Sequence, residues 1–533
     1  MGTHLSSQGR GPGRVWDGVC RARMTIISRL KSLLVTRCQG HGTMVAIAWA
    51  CFTLMVVLVV HHHEPWFDEA QAWLIARDNS PFEILFRRLR YEGSPGLWHL
   101  LLWVLARSGA PFRAMSYLSA LLASVSAGLI LLFAPFPVWL RVLFVFGYFP
   151  AYQYAVVARS YGLNLLLLTL AAILYSSRCS HPVRYGLVLA ALANTNVFGF
   201  LAAGVIFLDC AFSMSRSLMA SKKSNAMGAL IFVVASLLAI VQALPARDVS
   251  FPRPHRTTAV SVISTAIGQI SRGFVEFGPA TPNKMMIGFL LSVGALAVGF
   301  RLAAKGKKLA LSISLCAVPL AFQALKYCAP WHAGLIYLSW IFGLWVSWAA
   351  FNDQRVRFQR VVVLTTAFVF IVQGYDALAA SRLDLNNSYS AAPEAAKFLR
   401  SYFASHSDVK LACVGDWAFA VQPYFKQNIC ANYYGGAPKP SYYDWKLGDP
   451  YPDRPDAHYV AKLMETGQFD ALLVCGFALR DRASEVVIPA VNYSLVRSFQ
   501  GVTIWKDYFG FTDDLLLFEK RRTSLPSALA KPE

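Results

Sequence analysis

The chain has 533 residues and a formal net charge of +21, yet 15% of its residues are charged and 56% are hydrophobic. With a mean hydropathy of +0.44, that apolar content exceeds what a water-soluble core conceals, and it points to a chain solvated by a bilayer. Much of the positive charge lies in an N-terminal arm (Arg10, Arg14, Arg21, Arg23, Arg29, Lys31, Arg37) and in short segments between apolar runs. This is the positive-inside pattern rather than a nucleic-acid-binding face, so nucleic acid is not an expected partner.

Residues 1–43 are expected to be a disordered cytoplasmic arm without a signal-peptide cleavage pattern, followed by an uncleaved first span at 44–60. Further apolar segments fall near 114–134, 140–157, 161–177, 185–198, 199–213, 227–244, 285–300, 309–325, 333–351 and 361–377. Basic clusters at Arg178/Arg184, Arg216/Lys222/Lys223, Arg301/Lys305/Lys307/Lys308 and Arg355/Arg357/Arg360 mark cytoplasmic ends. The segment 97–106 is too short to cross, since a rise of about 1.5 Å per residue covers roughly half the hydrocarbon thickness; it reads as a partly inserted helix. The pair 185–198 and 199–213 is broken at Asn194-Thr195-Asn196 and Gly199, and interrupted helices at membrane depth are expected to line a polar cavity.

The expected fold is thus an α-helical polytopic membrane protein with about eleven transmembrane helices over 44–377, its N-terminus cytoplasmic and its C-terminus outside. Loops 61–96 and 245–284 lie on the outer face. Region 378–533 changes character: helices near 394–403 and 416–425 alternate with strands near 409–414, 471–475, 494–498 and 515–518, which describes a small extracytoplasmic α/β domain. Of the ten cysteines, Cys51, Cys210 and Cys316 read as small buried hydrophobes, and Cys413, Cys430 and Cys475 can supply one disulfide in an oxidising space.

Four short elements on the outer face carry candidate chemistry. The first outer loop contains His61-His62-His63-Glu64-Pro65-Trp66-Phe67-Asp68-Glu69. Its adjacent carboxylates can serve as a general base, hold a divalent cation, or simply begin a solvated helix, where acidic residues are favoured; the histidines read as interfacial. The second element is Tyr91-Glu92-Gly93-Ser94-Pro95-Gly96-Leu97-Trp98-His99, which as a Gly/Pro stretch also reads as a turn. The third is Ala158-Arg159-Ser160-Tyr161-Gly162, where Arg159 at membrane depth needs an anionic partner, either a carboxylate such as Asp68 or a phosphate. The fourth is Lys326-Tyr327-Cys328-Ala329-Pro330-Trp331-His332, and Arg247, Arg253, His255, Arg256 and Arg272 make loop 245–284 basic, as lipid headgroups would favour.

As an ordered set these elements resemble the GT-C superfamily of membrane glycosyltransferases, in the branch of the protein O-mannosyltransferases and the lipid A aminoarabinose transferase, and particularly its bacterial members of unassigned role. Phe67-Asp68-Glu69-Ala70, Glu92-Gly93-Ser94-Pro95-Gly96-Leu97, Ala158-Arg159-Ser160-Tyr161-Gly162-Leu163 and Lys326-Tyr327 with Pro330 carry the resemblance over 44–377. Val157, Gly96 and Lys326 depart from the branch's usual carboxylate, proline and arginine. The resemblance implies a sugar donor on a polyprenyl phosphate, used in the cell (inner) membrane on a glycan, lipid or protein acceptor. Asp68 would be the base and Glu69 would orient a helper residue or bind a metal, with a divalent cation left open and no other cofactor implied. Arg159 and Lys326 would stabilise the phosphate, while Glu92, Tyr161, Tyr327 and His332 would line the substrate site. A membrane transporter or lipid flippase with an outer domain, and a non-catalytic scaffold of the same fold, are the competing readings; no internal inverted repeat favours the transporter.

Overall fold

An apolar run removed from water must satisfy its backbone internally, which selects the α-helix. The computed structural model describes residues 42–214, 221–250, 258–278, 281–406, 408–446, 455–479 and 492–521. Within them six helices are long and apolar enough to cross a membrane: Gly42–His62, Ala114–Phe133, Lys222–Ala243, Pro282–Lys305, Pro330–Ala350 and Val356–Asn386. Five shorter apolar helices, Leu97–Arg107, Tyr161–Ser177, Pro182–Ala193, Val197–Ser213 and Leu309–Leu325, lie among them. Leu54, Leu58, Leu230, Leu237, Leu364 and Leu378 are exposed on their outer faces, an apolar exterior far larger than water-soluble monomers carry. Most of the N-terminal arm (1–41), Arg216, Arg253, His255 and Arg256 lie outside the described residues.

Three segments depart from the sequence reading. Segment 140–157 is not one helix: Val138–Val145 ends, the chain turns, and a single wider turn, Phe149–Gln153, follows. Pro150 has no N–H to continue the ladder, and Gly147 lies so close to the Phe144 carbonyl and Gln373 that a side chain there would press on both. Loop 245–284 contains an amphipathic helix, Ala259–Phe274, capped by Thr258 accepting from the Ser261 N–H at 3.2 Å. Its packed face is Gly268, Gln269, Ser271, Gly273 and Phe274, while Val260 and Ile263 stay exposed. The break at 194–196 is present, and its side chains bind the start of the neighbouring helix at Ser160 and Asn164. Asn196 receives the Asn164 amide at 3.0 Å and donates to Ser160 at 3.0 Å, and Thr195 donates to Asn164.

The bundle has one basic end. Tyr175 donates to Asp209 at 2.6 Å, Arg178 and Lys308 pair with the same carboxylate at 3.7 and 3.8 Å, and the Arg178 guanidinium sits 3.8 Å over the Tyr175 ring. The C-terminal unit sits at the other end. Its sheet runs β1 (Leu411–Val414), β2 (Ala471–Cys475), β6 (Leu515–Lys520), β3 (Tyr493–Phe499), parallel between β1 and β2 and antiparallel elsewhere. Because both faces of β1 and β2 are covered, their sequences are apolar throughout rather than alternating. Helix Ala392–Ser405 covers one face with Ala395 and Leu399, and helix Ala457–Thr466 covers the other with Val460 and Met464. Segment 416–425 is a tighter 3-10 helix, Asp416–Tyr424. Cys413 and Cys430 form the disulfide; Cys475 is free and buried, and Cys51 is exposed on its helix.

A hairpin not visible in the sequence pattern, β4 (Val502–Trp505) and β5 (Tyr508–Thr512), leaves this sheet and pushes its tip into the helix bundle. Lys506, buried and in the left-handed region (φ 55°), pairs with Asp376 at 3.1 Å and Glu276 at 3.5 Å. Trp505 Nε1 donates to Glu276 at 2.8 Å while its ring packs edge-on against Tyr148, 5.3 Å away. Removing one partner of such a buried pair leaves uncompensated charge. Lys506→Ala is expected to destabilise the folded chain by about 3–5 kcal/mol, and Lys506→Ala with Asp376→Asn by less, as read from thermal unfolding in detergent.

Candidate active site

The helix Phe67–Asp78 begins where the first long helix ends, and its first turn places two neighbouring carboxylates on different partners. Glu69 is fully buried. Its Oε2 accepts the Trp66 N–H at 3.2 Å, closing the helix start, and faces His63 Nε2 at 3.3 Å. Its Oε1 accepts the Ala158 N–H at 2.7 Å. Asp68, one residue earlier on the helix surface, is half-buried and ion-paired with Arg159. Glu69 therefore fixes the backbone on which Arg159 stands, and Asp68 meets the side chain that backbone presents.

His63 is buried rather than interfacial, whereas His61 and His62 are exposed. Its Nδ1 lies 2.8 Å from Asp384 Oδ2, which also accepts the Tyr152 hydroxyl at 2.9 Å, and its ring packs on Tyr389. Burial alone would lower the imidazole's affinity for a proton, but Asp384 and Glu69 on either side overcome it and push the pKa up to about 10. This charged link ties the last long helix to the start of the site.

Around Arg159 the sequence candidates gather unevenly. Its guanidinium lies 5.6 Å from the Tyr161 ring and 5.5 Å from the Trp331 ring, an aromatic slot that sustains a cation out of water. The His332 ring is 5.3 Å from Tyr327 and 6.0 Å from Tyr161, and His332 Nδ1 accepts the Ala329 N–H at 3.0 Å, which fixes that turn. Tyr327 stands within the field of both Asp68 and Arg159. Lys326 does not join this group: its side chain is exposed and has no ion pair among the described residues. The helix ends at Leu325, and Tyr327 and Trp331 are the residues that reach Arg159. In loop 245–284, Arg272 is committed to Glu276 at 3.7 Å.

Carboxylates from two further segments approach Asp68. Glu92 accepts the Gln71 amide at 2.8 Å; burial, reinforced by the Asp68 charge, pushes its pKa up to about 7. Asp416 of the C-terminal unit sits in the same field, and burial with the Asp68 charge also brings it up to about 7. Asp68 itself is raised by burial, which Arg159 opposes and Glu69 reinforces. Gln71 clamps the two parts of the chain together, donating to the Tyr443 carbonyl at 2.7 Å and accepting its N–H at 3.0 Å. Neither Gln71 nor Asp416 bears a motif, so only their placement reveals them. His63 and Trp331 belong to singled-out stretches but not to the expected site.

Among the described residues no group of three or more His, Cys, Asp or Glu side chains is arranged to hold a metal ion. Asp68 and Glu69 face different partners and do not offer one shared cation position. No protein-family model matches the chain, and no curated protein matches it either.

The His63 link has a definite pH signature. The folded protein holds its proton to about 10, the unfolded chain only to 6.5, so the stabilisation is complete below 6.5 and is lost as pH rises through 10. Thermal unfolding of the wild type should fall steeply over that alkaline window. His63→Gln should unfold at lower temperature at neutral pH, with a shallower alkaline fall.

Proposed function

We propose that the chain is a GT-C-like membrane glycosyltransferase that moves a sugar from a polyprenyl-phosphate-linked donor to an acceptor hydroxyl on the extracytoplasmic face. The observation that carries this reading is the Asp68–Arg159 pair. A carboxylate and a guanidinium 91 residues apart in the chain are brought into contact, half-accessible, at the end of the bundle where the C-terminal unit docks.

The chemistry follows from those two groups. Asp68 takes the proton of the acceptor hydroxyl as that oxygen bonds to the anomeric carbon. The bond from that carbon to the donor phosphate oxygen breaks, and its electron pair stays on the phosphate. Arg159 stabilises the charge that accumulates there, and its aromatic surroundings strengthen the interaction by keeping water away. Tyr161, Tyr327 and Trp331 line the cationic side of the site, Glu92 and Asp416 the acidic side. Glu69 acts by positioning the Ala158–Arg159 backbone. Lys326, exposed and apart from this group, has no role in this scheme.

We further propose a topology of about eleven spans in the cell membrane, with the N-terminus cytoplasmic. The six long helices and four of the five shorter ones, Leu97–Arg107 excepted, together with the broken 138–153 segment, supply that number. The clustering of Arg178 and Lys308 on Asp209 at the far end supports the orientation, since basic residues gather on the cytoplasmic side. The C-terminal unit and the Asp68 site then face outward.

Asp68→Asn should lower the rate of sugar transfer by about 10²–10⁴-fold without reducing membrane abundance, measured as consumption of lipid-linked sugar in membranes from variant and parent cells. Unchanged consumption removes Asp68 from the mechanism. A cysteine placed at exposed Ser401 should react with an impermeant maleimide in intact cells, and one at exposed Asn352 should not. The reverse labelling pattern would turn the site toward the cytosol.

A further inference from the structure

Arg159 is a partial answer to a phosphate, because Asp68 already neutralises much of its charge. The second cation suggested by the sequence, Lys326, is exposed and has no ion pair among the described residues. A departing phosphate carries charge on several oxygens and needs more than one donor. The question is which other side chain reaches that place.

His99 fits that requirement. It lies on the short helix Leu97–Arg107, whose start is pinned to the bundle by the Leu97 N–H on the Asn194 carbonyl at 3.0 Å and the Gly96 N–H on Gln242 at 2.8 Å. Gly96 permits that approach: a side chain there would collide with Leu85 and Leu89. The His99 ring is 7% exposed. Neither of its ring nitrogens has a hydrogen-bond partner among the described residues, and Nδ1 is wholly enclosed. The same 194–196 break that holds the start of this helix also holds the residue after Arg159, since Asn196 donates to Ser160 at 3.0 Å.

A buried imidazole without a partner forfeits about 1–3 kcal/mol, so such groups call for an explanation. The other histidine near Arg159 differs, since His332 Nδ1 is already occupied by the Ala329 N–H. An anion placed between His99 and Arg159 would satisfy the imidazole and the guanidinium together. Resting on the glycosyltransferase reading above, we propose that His99 and Arg159 jointly bind the phosphate of a polyprenyl-phosphate donor, His99 donating a ring N–H to a phosphate oxygen. No proton need leave the ring: the electron pair of the broken glycosyl bond remains on the phosphate oxygen, which the N–H then holds more tightly than before.

The test compares binding of three lipids to full-length protein in nanodiscs by native mass spectrometry: polyprenyl phosphate, the corresponding polyprenol, and phosphatidic acid. Wild type should bind polyprenyl phosphate more tightly than the other two. His99→Phe, which keeps the ring volume, should lose about 10–100-fold of affinity for polyprenyl phosphate, the range for a hydrogen bond to a charged group, and little for polyprenol. His99→Gln, which keeps a donor, should retain part of the preference. An unaltered preference in His99→Phe overturns the assignment of His99 while leaving the Asp68 chemistry intact. Equal losses for phosphate and alcohol would make His99 a contact for the polyprenyl chain and overturn it too. If phosphatidic acid competes as well as polyprenyl phosphate, the place is a general headgroup site and not a donor site. If wild type itself does not prefer the phosphate over the alcohol, the glycosyltransferase reading fails first.

Discussion

One buried cluster of charge organises this protein: His63 between Glu69 and Asp384. Two carboxylates and one imidazole, all without solvent exposure, are held together by their opposite charges and by neutral donors, the Tyr152 hydroxyl and the Ala158 and Trp66 N–H groups, so that three of the four carboxylate oxygens are engaged and Asp384 Oδ1 has no hydrogen-bond partner among the described residues. The cluster joins the end of the first long helix, the helix that follows it, the broken 138–153 segment and the top of the last long helix. None of these can shift without leaving a charge uncompensated. In the function proposed here rigidity is what the neighbouring Asp68–Arg159 pair requires, since a base and a phosphate-binding cation would act only if their separation is held.

That separation is set indirectly. Arg159 is aimed by Glu69 through the Ala158 N–H on one side and by the Ser160–Asn196 bond on the other. The polar interruption at 194–196 thus serves the site by tying a helix break to the arginine's backbone. Apolar aromatic faces then do what water would otherwise do less selectively, surrounding the guanidinium without neutralising it.

The C-terminal unit is not an appendage. It is fastened at one place by Gln71 on Tyr443 and at another by the Lys506 hairpin tip among Glu276, Asp376 and Tyr148. Between those anchors it brings Asp416 into the field of Asp68. Under the proposed function, a site bounded by both parts would tie substrate binding to how the C-terminal unit sits on the helices, with Asp416 and Glu92 opposite Arg159.

The sequence by itself determined the helices and the solvent they demand, because apolar length is a local property. The runs at 44–60, 114–134 and 361–377 each became a helix, and the strands at 471–475 and 515–518 were visible for the same reason. It also marked Asp68, as one of two adjacent carboxylates in the first outer loop, and Arg159, as a charge between two apolar runs. What depended on partners far along the chain was hidden. Helix Ala259–Phe274 leaves Val260 and Ile263 exposed and packs Gly268, Gln269, Ser271, Gly273 and Phe274 instead, a choice of face that its own spacing does not make, and hairpin β4–β5 is held by ion pairs with residues more than 100 positions away. Only the tertiary structure decided that His63 is buried between Asp384 and Glu69, that Glu69 holds the Ala158 N–H, that Lys326 is exposed, and that His99 is buried with its Nδ1 unpartnered. Burial and counter-ions fix those roles, and both are properties of neighbours in space, which spacing along one chain does not encode.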